Sequence, residues 1–191
     1  MEAVREAKKR GIKVTCETCP HYFTLTEEAV LGFNTKAKVN PPLKTKEDIA
    51  AVKKGLSDGT IDAIATDHAP HSAEEKDLEF DFAASGMIGL EFALSLANTE
   101  LVKNKVLDWS GLAMKMSVNP SKILGLTGKG SLAAGSNADV TVFDPSAEWV
   151  VDEKRIESKS KNTPLAGRKM GGAVLITIVG GKIKYENGRF D

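Results

Sequence analysis

Thr45–His71 reads TKEDIAAVKKGLSDGTIDAIATDHAPH, and this stretch decides the fold class. Thr45 and Asp48 stand at the spacing of a capping box, where each side chain reaches the other's backbone N–H at a helix start. Ile49, Val52 and Leu56 follow on one helical face, and Gly59 closes the segment. The next six residues, Ile61–Thr66, are small or branched and read as a short buried strand. A helix that hands over directly to a strand is the pattern of α/β folds, and in parallel α/β sheets ligands gather at the carboxyl ends of the strands. Asp67, His68 and His71 stand at that end.

The same pattern extends upstream. Ala3, Val4 and Ala7 lie at helical spacing, with Gly11 where a left-handed cap belongs. Ile12, Val14 and Cys16 alternate with Lys13 and Thr15, which predicts a strand leading into the polar segment ETCPHYFTLTEE. Downstream, a helix is predicted from Met87 to about Asn104 through Ile88, Leu90, Phe92, Leu94, Leu96 and Leu101. Another is predicted over 108–116. A third opens with Asn119 as N-cap and Pro120 at the first helical position, with Gly125 just past its end. After Gly128 the pattern changes to short strands at Val140–Phe143, Trp149–Val151, Val174–Val179 and Ile183–Tyr185, separated by Gly, Asn and Pro turns. A boundary is therefore expected near residue 128, with an α/β unit over 1–127 and a small β-rich unit over 128–191. The most polar stretch, EKRIESKSKNTP, reads as a solvated loop between two strands.

Composition narrows the function. The 26 basic and 26 acidic residues cancel and are spread along the chain, which gives no electrostatic support for nucleic-acid or membrane-surface binding. No apolar run approaches a bilayer span, and Met1–Glu6 reads as a charged helix start and not a signal peptide, so a soluble cytoplasmic protein is expected. Cys16 and Cys19 form a Cys-x-x-Cys pair. Haem attachment would need His where Pro20 stands, a four-cysteine zinc site has no second pair, and nothing else suggests a thioredoxin fold. Two reduced, partly buried thiols are expected.

A carboxylate beside histidines at a strand end suits a metal ligand, a general base or the partner of a nucleophile. No nucleophile elbow is present, and neither cysteine is near the motif in sequence. Successive strand residues point to opposite sides, so at most two of Asp67, His68 and His71 should share one site, with Asp67 and His71 the better pair. A buried, hydrogen-bonded structural Asp67 is the competing reading.

The segments KVNPPLKTKED, DGTIDAIATDHAPHSAEEK and SGMIGLE, in this order and spacing, closely resemble the dihydroorotases of the bacterial, multidomain-enzyme-like type within the amidohydrolase superfamily. VTCETCPHYFTLTEE before them and SVNPSKILGL, ADVTVFDP and SKSKNTPLAG after them extend the resemblance over essentially all of the chain. It implies a metal-dependent (β/α)8 barrel with one or two zinc ions at its carboxyl face and a small β-domain. The implied reaction is reversible hydrolysis of the cyclic amide of dihydroorotate to carbamoyl aspartate, in pyrimidine synthesis.

By the same resemblance Asp67 matches the aspartate that binds the metal and carries the proton. Asn40 and His71 match residues that hold the substrate. Ser85-Gly86 matches a dipeptide, usually Phe-Gly or Pro-Gly-like, that meets the substrate through its backbone; Ser85 departs from that pattern and Gly86 keeps it. His21 matches a histidine that is not a usual zinc ligand and is expected at a structural or pocket-rim position, and His68 is expected to pack behind the site.

The family's His-x-His pair, its carboxylated Lys or bridging Asp, and its two later histidines have no counterpart among the three histidines here. The chain is therefore expected to be a carboxyl-terminal portion, holding the seventh and eighth barrel strands and part of the β-domain, and to be inactive alone. An allantoinase-like or hydantoinase-like enzyme is the alternative on substrate, and a non-catalytic interaction module is the alternative on class. A homodimer or a pyrimidine-pathway enzyme partner is the expected association.

Overall fold

A computed structural model describes all of residues 1–191. Helix α1, Glu2–Lys9, ends through Arg10 into Gly11, whose φ of +74° is the left-handed exit expected there. The strand predicted over Ile12–Cys16 does not form. The paired segment is β1, Glu17–Thr18, lying parallel to β2, Ala63–Ile64, with Glu17 opposite Ala63 and Thr18 opposite Ile64. Just upstream, the Cys16 N–H donates to the Asp62 carboxylate at 2.9 Å, and Lys8 donates to the same carboxylate at 2.7 Å. A side chain thus takes the Cys16 N–H, while the Cys16 carbonyl accepts from the Asp62 N–H at 2.7 Å, and the paired residues start at Glu17.

Helix α2, Lys46–Ser57, carries the predicted capping box: Thr45 Oγ1 accepts from the Asp48 N–H at 3.3 Å, and the Asp48 carboxylate accepts from the Thr45 N–H at 3.2 Å. Leu56 is buried, Ile49 and Val52 are partly so, and the apolar stripe thus faces inward. A short helix α3, Ala73–Lys76, starts from a second capping box made by Ser72 and Glu75.

The helix predicted from Met87 begins six residues later. Met87 instead forms an isolated parallel bridge with His68, and the N–H groups of Gly89 and Leu90 donate to His68 Nδ1 at 3.2 and 3.3 Å. Met87 and Ile88 are buried by this turn, so their apolar character is used without a helix. Helix α4, Ala93–Ala97, then widens into a π-type turn over Asn98–Val102. Helix α5, Trp109–Ala113, passes through a similar turn over Met114–Val118 into α6, Asn119–Ile123. Asn119 is therefore inside a continuous helical rod and not its cap. Its amide donates to the Asp62 carbonyl at 2.8 Å, and buried Lys115 donates to the Ile61 carbonyl, so the rod leans on β2.

The carboxyl-terminal sheet is antiparallel in the order β3 (Val140–Val150), β4 (Lys169–Val179), β5 (Lys182–Glu186), β6 (Arg189–Phe190). The two strands predicted near Val140 and Trp149 are one strand with register shifts after Val142 and Asp144. The Gly171 and Gly172 carbonyls receive bonds from Asn98, Ser95 and Trp149 at 2.8–2.9 Å, which fastens β4 to α4 and its continuation.

The stretch expected to be a solvated loop is folded inward. Ile156, Asn162 and Thr163 are 6, 4 and 0% exposed, and the Glu91 carboxylate accepts from the Glu157 and Ser158 N–H groups. One hydrophobic cluster accordingly joins Phe23, Ile64, Phe92 and Leu101 to Val151, Ile156, Leu165 and Met170. No helix is long and apolar enough to cross a membrane.

Candidate functional site

Asp67 stands three residues past β2 with φ +47°, a left-handed conformation that short polar residues adopt more readily than other side chains. The bend leaves its side chain 49% exposed. Beyond β1 the chain turns through a 3-10 helix, Pro20–Phe23, with Pro first. The parallel register of β1 on β2 brings this turn level with Asp67. His21 Nε2 lies 3.7 Å from Asp67 Oδ2, too far for a hydrogen bond, and this buried nitrogen has no hydrogen-bond partner. Cys19, His21 and Asp67 each offer a ligand atom, all within 4.8 Å of one another.

The electrostatics of the trio are one-sided. Burial, then the charges of Asp67 and Glu17, push the Cys19 thiol up to about 12. Burial holds the His21 imidazole below its usual range, although Asp67 draws it the other way. Burial, again with Asp67 and Cys19 behind it, pushes the Tyr22 phenol up to about 12. Burial thus favours the protonated thiol and the neutral imidazole. A divalent cation fits this set on chemical grounds: it would complete the orphaned nitrogen, face the carboxylate and favour the thiolate, and mixed N, S and O donors are those zinc accepts.

The structure revises two sequence readings here. His21, and not His71, is the imidazole within 4 Å of the Asp67 carboxylate. Cys19, read as a plain thiol, belongs to the same cluster; its nearness depends on strand pairing that no local spacing announces.

The remaining expected residues gather in a second group. His71 Nε2 is 3.1 Å from the Ser85 carbonyl, and Nδ1 is 3.6 Å from Glu75. Gly86, buried and at φ +145°, has its N–H on the Lys38 carbonyl at 2.8 Å. A Cβ on Gly86 would fall 2.6 Å from Ala69 Cβ and 2.9 Å from His71 Nε2, so glycine is what lets these segments touch. Ser85 is exposed. Asn40, also exposed, precedes a cis bond to Pro41, whose carbonyl accepts from the Tyr22 hydroxyl at 2.7 Å. That bond ties the Asn40 loop to the His21 turn. His68 faces the Gly89 turn, in keeping with the packing role expected of it.

Sequence reading missed two buried polar residues of this group. Lys76, 5% exposed, donates to the carbonyls of Ala84 and Gly86 at 2.7 and 3.0 Å. Asn162 reaches the same turn from the stretch that composition marks as solvated.

Fold and donor set together define an α/β protein with a candidate metal centre at a strand's carboxyl end. The chain belongs to the amidohydrolase family, whose profile matches residues 1–184. It is 58% identical over 183 residues to a dihydroorotase of Geotalea daltonii, covering 96% of this chain and 43% of that protein. A dihydroorotase of Acetivibrio thermocellus matches equally, at 58% over 183 residues. Among solved structures, L-hydantoinase (dihydropyrimidinase) from Arthrobacter aurescens superposes with a TM-score of 0.94 at 30% identity, over 100% of this chain and 43% of that one. The dihydropyrimidinase of Brevibacillus agri, with a TM-score of 0.92 and 24% identity over 99% of this chain and 43% of its own, shares the fold. The chain thus spans less than half the length of the relatives it matches.

Proposed function

We propose that this chain is the carboxyl-terminal portion of a dihydroorotase that opens the ring of dihydroorotate to carbamoyl aspartate with zinc. The observation that carries the reading is Asp67, held on a left-handed bend at the strand end beside two further potential metal donors. The 58% identity to proteins named dihydroorotase supports the choice of substrate. The same reading divides the chain near residue 128 into the end of a (β/α)8 barrel and part of a small β-domain. It places the enzyme in the cytoplasm, as a homodimer or with a pathway partner.

When bound, zinc supplies Lewis-acid activation of water and of the amide carbonyl. Asp67 accepts the proton of the attacking water as the C–O bond forms. It then delivers that proton to the ring nitrogen as the C–N bond breaks, so one carboxylate serves as base and then acid. Asn40 offers donor and acceptor to the ring amides, and His71 offers an N–H to the substrate carboxylate. The Ser85-Gly86 backbone closes on the ring. The metal ligands of the family not matched in this chain would come from the remainder of the protein.

Structural likeness to the Arthrobacter hydantoinase favours a second reading, hydrolysis of hydantoin or dihydropyrimidine rings. The test is turnover by the complete protein of L-dihydroorotate, hydantoin and allantoin. Preference for dihydroorotate is expected. Turnover of hydantoin or allantoin alone would transfer the proposal to that ring, and turnover of none would end it.

A further inference from the structure

Two segments assigned to substrate, Ala69–His71 and Ser85–Gly86, lie in direct contact, joined by the His71 to Ser85 bond described above and, at their edge, by the Ala69 N–H donating to the Met87 carbonyl at 3.0 Å. A third, distant residue bridges them as well. Asn162, 4% exposed and far downstream in sequence, lies between them. Its Nδ2 donates to the Ala69 carbonyl at 2.9 Å and to the Gly86 carbonyl at 3.2 Å. Its Oδ1 accepts from the His71 N–H at 3.3 Å, and its own carbonyl accepts from the Ile88 N–H at 3.1 Å. Both amide donors and one acceptor of the side chain are thereby committed, and each of these three side-chain bonds ends on one of the two segments.

We propose that Asn162 is a positioning residue that fixes the gap between the His71 segment and the Ser85–Gly86 turn, and so sets the affinity for the cyclic amide. Part of this rests on the dihydroorotase reading; the fixing of the gap does not. Lys76 supports the geometry by donating to the Gly86 carbonyl as well, so that this one oxygen accepts from two buried side chains. An amide suits the position because it can donate to two carbonyls while accepting from an N–H. An aspartate would meet both carbonyls with like charge, and an alanine would leave the Ala69 carbonyl and the His71 N–H unpaired, the Gly86 carbonyl keeping Lys76.

The test compares wild type with Asn162→Ala and Asn162→Asp by two readouts. In the complete protein, KM for L-dihydroorotate should rise about 10-fold or more with kcat held within about 3-fold, since a binding geometry is lost and the proton carrier is untouched. In the chain itself, amide exchange at His71 should accelerate about 10-fold or more while the β3–β4 amides keep their rates. Where Asn162→Ala does not fold, Asn162→Ser carries the same readouts. A lowered Tm with unchanged KM and unchanged His71 exchange would reduce Asn162 to a buried structural amide and overturn the proposal. Should the complete protein not use dihydroorotate, the substrate reading fails separately, and His71 exchange alone decides for or against the fixed gap.

Discussion

His21 Nε2 and Asp67 Oδ2 stand 3.7 Å apart, one buried with no hydrogen-bond partner and the other on a side chain half open to solvent. An unpaired buried nitrogen typically costs about 1–3 kcal/mol. The arrangement keeps a neutral donor aimed at the one group that can carry charge into the site. Substituting Asp67 should therefore separate chemistry from folding. Asp67→Asn keeps a residue that tolerates φ +47° and removes the ionisable carboxylate. Turnover by the complete protein should fall by about 100-fold to 10,000-fold with stability nearly unchanged. Asp67→Val should in addition lose about 1–2 kcal/mol from the left-handed backbone. Equal activity in wild type and Asp67→Asn would remove Asp67 from the chemistry.

The two cysteines should differ in reactivity. Cys16 is partly exposed, while Cys19 is buried with its thiol held protonated. Without metal, iodoacetamide should label Cys16 at least about 10-fold faster than Cys19. Cobalt(II) added to the chain should give a thiolate-to-metal absorption band that a chelator removes and Cys19→Ser lacks. His21→Ala should weaken cobalt binding by about 10-fold or more. A band that survives in Cys19→Ser would exclude the thiol as a ligand.

Gly86→Ala should be costly for two separate reasons. The φ of +145° disfavours any Cβ, and the added carbon would meet Ala69 and His71 Nε2 inside contact distance. A loss of about 1–3 kcal/mol in unfolding free energy is expected, measured by urea denaturation, together with a raised KM. Wild-type stability in this variant would mean that the two segments are not in contact in solution.

Burial lowers the Lys76 ammonium to about 8, with Lys38 adding repulsion. Above that pH the unfolded chain holds a proton that folded Lys76 has released, so stability should rise with pH from about 8 toward the ordinary lysine value. Lys115, lowered by its own burial, acts in the same direction. Cys19 acts oppositely above its ordinary 9.0, where the folded thiol keeps a proton that the unfolded one gives up. The interval between about pH 8 and 9 is therefore the informative one. Tm should climb across it, and Lys76→Met should flatten the climb. A level wild-type profile would contradict a desolvated ammonium at this position.

Particular residues show what could be read in advance. The Thr45–Asp48 box and the Ile49, Val52, Leu56 stripe are local signals, and helix α2 formed where they placed it. Asp67 at a strand's end followed from the same stretch. The proximity of Cys19 and His21 to Asp67 did not, because it depends on Glu17 facing Ala63, a register that neither strand's own sequence specifies. The start of α4 was misplaced because Met87 and Ile88 need burial, and a bridge to His68 buries them as well as a helix would. Asn162 was hidden by its neighbours: Lys159, Lys161 and Glu157 make the stretch polar on average, while Ile156, Asn162 and Thr163 turn inward.

The inward fold of residues 153–164 bears on how such proteins can be recombined. A chimera that joined the first 127 residues of this chain to the β-rich segment of a relative would replace Asn162, Ile156 and Leu165 together. All three contact residues on the amino-terminal side of that junction, through hydrogen bonds or through the shared apolar cluster. The junction looks like a seam in sequence but behaves as a hinge pin in space. A successful graft would have to carry the partners at Ala69, Gly86 and Phe92 along with the incoming segment.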